Sequence, residues 1–252
     1  MVRTGRGRAG VHRAGGHRAT GEYGTPFVPD VPGQADFGGR ILHAADYRSP
    51  DAFAGQRVVV VGGGNSAIQI VAELGSLADT TLVTRRPIGW TPQRPLGQDL
   101  HWWLKHTRLD IAPIRRLLAK VPVAVPDDGH HRTALDQHGV DRRDVFSRFT
   151  ADGIVWADGT KEEVGAVLLA TGYRLAFPYL TGSGVLATNG APLHQGGLSP
   201  AVPGLAFVGM EFQRSFSSKI LRCVGRDAGH VLERMRTAVA GRTRIRSGGR
   251  WS

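Results

Sequence analysis

The sequence predicts an α/β protein with a buried parallel β-sheet, and three consecutive segments carry this prediction. The run Arg57–Val61 is short, β-branched and largely apolar, as expected of a strand that is buried on both faces. A glycine-rich loop follows, and apolar residues then recur at helical spacing; they are Ile68, Ile70, Val71 and Leu74. Residues 80–84 have the composition of a second strand. Such a β-α-β unit joins two parallel strands through a helix.

The loop after the first strand has the sequence Gly62-Gly63-Gly64-Asn65-Ser66-Ala67, which is typical of a dinucleotide-binding turn. We expect Gly62 to make the tight turn, Gly64 to let the backbone approach a pyrophosphate, and Ala67 to let the helix pack closely. The amino terminus of the helix offers N–H groups to phosphates, and Asn65 or Ser66 is expected to cap it. The sequence therefore predicts a Rossmann-like nucleotide-binding domain. The alternative is a glycine-rich turn without a ligand.

The end of the second strand indicates which nucleotide fits. An NAD site places an acidic residue there for the ribose hydroxyls, whereas this chain has Arg85 and Arg86. Guanidinium groups suit a 2′-phosphate, so the sequence favours NADPH over NADH. The alternative is a pair of solvated surface arginines.

A second pattern precedes the first strand. Phe37, Gly39, His43 and Tyr47 have the spacing F-x-G-x-x-x-H-x-x-x-Y. This pattern resembles the fingerprint of class B flavin-dependent monooxygenases. Tyrosine at its last position is more similar to the N- or S-oxygenating and indole-pyruvate-type enzymes than to Baeyer–Villiger enzymes. The resemblance extends over residues 19–238 and includes two Ala-Thr-Gly triplets, at 19–21 and 170–172.

The resemblance implies two interleaved dinucleotide-binding folds. It places a Rossmann-like NADPH-binding domain at residues 51–170, inserted in the remnant of an FAD-type domain at 19–50 and 171–240, with basic tails at 1–18 and 241–252. By position, it implies that Gly62, Gly64, Ser66 and Arg85 hold NADPH, and that His43 couples the two domains. The residues that it places at the domain junction or the flavin are Thr20, Gly21, Thr171, Gly172 and Gly209.

The function that the resemblance implies is an NADPH- and FAD-dependent monooxygenase. Such an enzyme places one atom of O₂ on a soft nucleophile (nitrogen, sulfur or an indolic acid) through a flavin hydroperoxide, and most of the chemistry belongs to the cofactors. No catalytic side chain stands out in the sequence. The family begins with its own strand–GxGxxG–helix unit for FAD, and residues 1–18 contain no such unit. The alternative is therefore a truncated, catalytically inactive NADPH-binding module, or a chain whose partner supplies the FAD half.

Composition argues against other classes of protein. The single cysteine, Cys223, excludes an internal disulfide framework, a cysteine-based zinc site and a flavoprotein disulfide reductase, and it fits the cytoplasm. The net charge of +11 lies mainly in the tails, because residues 1–18 carry five arginines and residues 241–252 carry four, with no acid in either. A nucleic-acid-binding face is therefore not expected. We expect no metal site and no membrane segment, since no apolar run approaches the ~20 residues that span a bilayer.

The remaining elements are predicted from shorter signals. We expect helices near 97–108, 113–120 and 227–240, a loop over 126–144, and a strand at 205–209. Residues 154–157 and 164–169 are expected to pair as two strands joined by a turn at Asp158-Gly159.

Overall fold

The computed structural model describes residue 18, residues 20–108 and residues 124–247. The predicted helix at 113–120 and most of the predicted tails lie outside the described residues. The strands are β1 (Thr25–Pro26), β2 (Arg40–His43), β3 (Arg57–Val61), β4 (Asp79–Val83), β5 (Gly89–Pro92), β6 (Ala124–Asp127), β7 (Asp141–Arg143), β8 (Arg148–Phe149), β9 (Gly153–Val155), β10 (Lys161–Glu163), β11 (Ala166–Leu169) and β12 (Tyr173–Arg174). The α-helices are α1 (Asn65–Leu74), α2 (Leu100–Thr107), α3 (His130–Gln137) and α4 (Leu221–Ser247).

A five-stranded parallel sheet forms the centre of the molecule, in the order β2-β11-β3-β4-β7. Strand β3 lies between β11 and β4, and all four residues of β11 are buried. The parallel sheet that the sequence predicts is thereby confirmed, because strands of this kind need cover on both faces. The carboxyl ends of β4, β3 and β11 lie at one edge of the sheet.

Different layers cover the two faces of this sheet. Helix α1 packs its apolar side against one face, where Val58, Val60 and Leu168 belong to the same buried cluster. On the other face, Val59, Val83 and Val167 pack against Trp156 and other side chains around the antiparallel sheet β10-β9-β8. Alternate residues of β3 therefore enter two separate cores, which explains why the run of valines is apolar throughout.

The prediction of a loop over residues 126–144 is wrong, because β6, α3 and β7 occupy most of that segment. Helix α3 buries only Leu135, so its sequence lacks an apolar stripe. Its first turn is held instead by Asp127, whose carboxylate accepts the backbone N–H of His131 at 3.1 Å. Strand β7 is the edge strand of the sheet and is polar. Neither element carries the hydrophobic periodicity on which the prediction depends.

Three further predictions need correction. The predicted pairing of residues 154–157 with 164–169 is wrong, because β9 pairs with β10 and β11 joins the parallel sheet. The chain passes from one sheet to the other at Gly165, whose N–H donates to the carbonyl of Arg57. Residues 205–209 form no strand; Ala206 makes a single bridge to Leu198. Helix α4 begins at Leu221 and ends at Ser247, and so extends beyond both predicted ends and into the predicted tail.

Candidate nucleotide-binding site

The glycine-rich loop lies at the carboxyl edge of the sheet and leads directly into α1. Gly64 is the N-cap residue of α1, and no side chain caps the helix. The predicted capping by Asn65 or Ser66 is wrong, because both residues already lie in the first turn, where their side chains are exposed. The first-turn N–H groups of a helix have no partner within the helix, so this end of α1 can accept an anion.

Gly62 and Gly64 have different roles in this loop. Gly62 has a φ of +151°, and a Cβ there would overlap the carbonyl oxygen of Ala170. At Gly64 a Cβ would meet no heavy atom within 4 Å. The fold therefore requires a glycine at position 62, whereas Gly64 leaves free space in front of the amino terminus of α1. Ala67 is buried against the core, as its predicted packing role requires.

The two arginines that follow β4 are both exposed, and Arg86 lines a surface pocket. A surface pocket of about 370 Å³ lies at this end of β4, and Arg85 is not among its lining residues. The pocket is lined by Thr84, Arg86, Pro87, Ile88, Trp90, Arg142, Arg143 and Asp144. Sequence reasoning missed Arg142 and Arg143, because it assigned their segment to a loop rather than to a strand beside β4.

The charged residues that line this pocket are mainly basic. Arg86 makes no ion pair within the described residues. Arg142 pairs with Asp136 at 3.2 Å, and Arg143 pairs with Asp141 at 3.1 Å. The residues that line the pocket thus include three arginines and one acidic residue, Asp144, whereas the carboxylates that pair with Arg142 and Arg143 lie outside the lining. Such a pocket suits an anionic group.

The other side of the glycine-rich loop is formed by the turn after β11. The hydroxyl of Thr171 donates to the carbonyl of Phe27, and the N–H of Phe27 donates to the carbonyl of Gly172 at 2.9 Å. Strands β1 and β12 pair beside this turn as an antiparallel ladder. The chain segments that precede β2 and follow β11 therefore run side by side.

Three other residues that the resemblance assigns to the junction lie outside this turn. The hydroxyl of Thr20 lies 3.1 Å from that of Tyr179. Gly21 has a φ of +68°, and Gly209 has a φ of +83° and lies beside Val224 of α4. A second pocket, of about 300 Å³, is lined by residues that include Tyr23, Tyr173, His194 and Met210.

His43 ties the end of β2 to the Ala-Thr-Gly turn. Its Nδ1 accepts the N–H of Ala45 at 3.1 Å, so Nε2 carries the proton that it donates to the carbonyl of Gly172 at 3.0 Å. The side chain is buried, and its ring makes an edge contact with Tyr173. Both ring nitrogens are thus engaged in hydrogen bonds that join the end of β2 to this turn.

The other residues of the F-x-G-x-x-x-H-x-x-x-Y pattern also make structural contacts that explain why these residue types occur there. Phe37 is buried, and a Cβ at Gly39 would overlap its ring. Tyr47 stacks on Phe53 and donates its hydroxyl proton to Glu73 of α1 at 3.0 Å. Partial burial and this hydrogen bond raise the pKa of Tyr47 well above its ordinary value of 10.0. The pattern thus joins β2 to the rest of the sheet and to α1.

Replacing Tyr47 with phenylalanine is expected to lower the free energy of unfolding by about 0.5–1 kcal/mol at pH 7, because one hydrogen bond is lost. The raised pKa adds a pH dependence: neutral tyrosine is stabilised in the folded state, and this contribution is lost as the pH rises above the unfolded pKa near 10. The difference between the wild type and Tyr47→Phe should therefore shrink in alkali, as measured by urea denaturation at pH 7 and pH 10.5. A difference that grows with pH would contradict this assignment.

The described parts of the chain contain neither a metal-binding cluster nor a membrane-spanning helix. No group of three or more histidine, cysteine or acidic side chains there is arranged to hold a metal ion. None of the described helices combines the length and apolar character needed to cross a membrane.

Comparison with known proteins shows which proteins this chain resembles. The flavin-binding monooxygenase-like family model matches residues 16–98. The uncharacterized oxidoreductase CzcO of Bacillus subtilis is 29% identical over 214 residues, which cover 84% of this chain and 62% of that protein. The human putative dimethylaniline monooxygenase [N-oxide-forming] 6 is 28% identical over 214 residues, covering 71% of this chain and 39% of that protein.

Among solved structures, the flavin-containing monooxygenase from Stenotrophomonas maltophilia superimposes with a TM-score of 0.66 at 30% identity. The match covers 88% of this chain and 61% of that structure, so the chain spans less than two thirds of the length of the relatives it matches. Proteins of this family use FAD and NADPH. The shared motifs, the family model and the shared α/β fold show that the chain is similar to class B flavin monooxygenase-like proteins.

Proposed function

We propose that this chain binds NADPH across the carboxyl edge of its parallel sheet, as the NADPH-binding part of an FAD-dependent monooxygenase that oxidises a soft nucleophile. The observation that carries the proposal is the free space at Gly64, in front of the uncapped amino terminus of α1. A pyrophosphate needs close approach to the backbone at this point, and a glycine provides it. The predicted roles of Gly62, Gly64 and Ala67 agree with these contacts.

The order of the strands supports an assignment of the two ends of the dinucleotide to the two sides of β3. Strand β3, which carries the loop, has β4 on one side and β11 on the other. A dinucleotide whose pyrophosphate lies at Gly64 therefore has one end near Arg86 and the other near the Ala-Thr-Gly turn. We assign the adenosine to the side of Arg86, because a 2′-phosphate requires cationic partners. Asn65, Ser66 and Arg85 are exposed around this path and remain proposed contacts.

We further propose the interleaved arrangement of domains, in which residues 51–170 form the NADPH-binding domain between two FAD-side segments. Its support is the pairing of β1 with β12, which brings the two connecting segments together. Thr20, Gly21, Thr171, Gly172 and Gly209 are proposed to line the junction or the flavin, and His43 to fix the turn between the domains. FAD, when bound, supplies the redox chemistry with O₂. The described residues contain one strand–glycine loop–helix unit, which fits one dinucleotide.

The second candidate is a catalytically inactive NADPH-binding module, and the single glycine-loop unit in the described residues favours it. Absorption spectroscopy separates the two candidates. If the purified chain is incubated with FAD and then passed through a sizing column, the monooxygenase proposal predicts a flavin band that co-elutes with the protein. A colourless protein that still binds NADPH would overturn the monooxygenase proposal for this chain alone and favour the module, or a chain that needs a partner.

Replacing Gly64 with valine is expected to abolish most NADPH binding without unfolding the protein. A Cβ at this position would meet no heavy atom within 4 Å beyond its chain neighbours, and the valine side chain would occupy the space proposed for the pyrophosphate. Losing one charge-assisted hydrogen bond costs about 1.5–3 kcal/mol, so the dissociation constant for NADPH should rise by roughly 10- to 100-fold in calorimetric titration.

The matched control is Gly229→Val, which places the same side chain at another open position, on the exposed surface of α4. This control should bind NADPH like the wild type. Thermal denaturation checks that Gly64→Val is folded. A folded Gly64→Val protein with wild-type affinity for NADPH would refute the proposed site.

A further inference from the structure

We infer that Arg142 of β7 completes the recognition of the 2′-phosphate together with Arg86, so that two neighbouring strands, rather than one, determine the preference for NADPH. The inference rests on the proposed binding of NADPH. It assigns a specificity role to Arg142, to which the sequence pattern gave none.

The strand register brings these arginines together. Strand β7 pairs with β4 so that Arg142 lies beside Leu82 and Arg143 beside Val83. The N–H of Thr84 donates to the carbonyl of Arg143 at 3.1 Å and extends this pairing past the end of β4. Both arginines therefore lie beside the last residues of β4, and they line the same pocket as Arg86.

Arg142 and Arg143 lie on opposite faces of the sheet, and this separates their roles. Leu82, the partner of Arg142, belongs to the core on the α1 side, against which Ile88 and Trp90 also pack. Val83, the partner of Arg143, belongs to the opposite core. Arg142 is therefore on the same side of the sheet as the apolar part of the pocket.

The existing ion pairs show which guanidinium is free to exchange its partner. Within the described residues, Arg142 pairs only with Asp136, and their side chains are 42% and 68% exposed, so the pair contributes little. A phosphate can replace that carboxylate at small cost. Arg143 is held more firmly, because it contacts Asp141 at 3.1 Å and lies 4.6 Å above the ring of Trp156. We therefore assign the phosphate to Arg142 and a fixed wall of the pocket to Arg143.

The rest of the pocket suits the nucleoside that carries such a phosphate. Pro87, Ile88 and Trp90 supply apolar surface beside the arginines. A purine base can pack on that surface while its ribose phosphate meets the guanidinium groups. The chemical class of ligand is therefore an adenosine 2′-phosphate.

The test measures binding rather than turnover. NADPH, NADH and adenosine 2′,5′-bisphosphate are titrated into the full chain and into Arg86→Gln, Arg142→Gln and the control Arg148→Gln, whose side chain is exposed on β8 outside the pocket. We expect Arg86→Gln and Arg142→Gln each to weaken NADPH and the bisphosphate about tenfold, with NADH unchanged. The control should leave all three affinities unchanged.

The outcomes distinguish the inference from the proposed function. If the wild type binds both dinucleotides but Arg142→Gln changes neither affinity, or changes both equally, the inference is overturned and NADPH binding stands. If the wild type binds neither dinucleotide, the proposed function fails, and the inference fails with it. Loss of the preference for NADPH in Arg142→Gln, with NADH affinity retained, supports both.

Discussion

Replacing Gly62 with alanine is expected to lower the free energy of unfolding by about 2–4 kcal/mol, because two separate penalties act at this residue. Its φ of +151° disfavours any residue with a side chain, and a Cβ would overlap the carbonyl oxygen of Ala170. The N–H of Gly62 also donates to the carbonyl of Val83 at 2.9 Å, which limits any movement away from Ala170. Urea denaturation of the purified variant measures the effect.

The neighbouring residue provides a matched control. A Cβ at Gly63 would lie 3.6 Å from the Cγ2 of Thr84, which is an ordinary contact, so Gly63→Ala should cost much less. Equal stability of Gly62→Ala and Gly63→Ala would show that the loop does not press against the Ala-Thr-Gly turn. A lower stability of Gly62→Ala than of Gly63→Ala would establish the contact between Gly62 and Ala170 in solution.

Replacing Glu162 with alanine is expected to cost a similar amount, about 2–4 kcal/mol, since the indole N–H of Trp156 loses its acceptor and the guanidinium of Arg57 loses one of its carboxylates, although it keeps Asp79 and Thr81. One carboxylate oxygen accepts the Nε–H of Arg57 at 2.6 Å, and the other accepts the indole N–H of Trp156 at 2.6 Å. Arg143 approaches the same carboxylate at 3.7 Å. The variant therefore loses the link between the antiparallel sheet and strands β3 and β7.

The adjacent residue on β10 separates this effect from a general loss of negative charge. Glu163 is exposed, so Glu163→Ala should change the stability by less than about 0.5 kcal/mol. Glu162→Gln, which keeps the size of the side chain, should fall between the wild type and Glu162→Ala. If Glu162→Ala and Glu163→Ala unfold at the same urea concentration, the network around Glu162 contributes no stability.

The central part of the fold could be predicted because its signals are local. Strand β3 has the predicted bounds, and α1 ends at the expected C-cap residue, Gly75. Both elements are buried, so their apolar periodicity is complete. Helix α3 escaped prediction because it buries only Leu135, and strand β7 escaped prediction because it is a polar edge strand.

The candidate site could be predicted only in part for a related reason. The loop from Gly62 to Ala67 is continuous in sequence, and its glycines have the contacts expected of them. The helix cap was assigned to the wrong residue, because pattern alone does not show that Gly64 already occupies the N-cap position. Arg142 was missed because it joins Arg86 only through the pairing of β7 with β4, which depends on the tertiary structure.

The most direct test of nucleotide recognition by this chain is calorimetric titration of the full protein with NADPH and with NADH at one fixed ionic strength. We expect NADPH to bind at least about tenfold more tightly than NADH, because the 2′-phosphate gains charge-assisted hydrogen bonds to Arg86 and Arg142. Gly64→Val should lose affinity for both dinucleotides. If neither dinucleotide binds, or if the two bind with equal affinity, the result would contradict recognition of NADPH at this edge of the sheet.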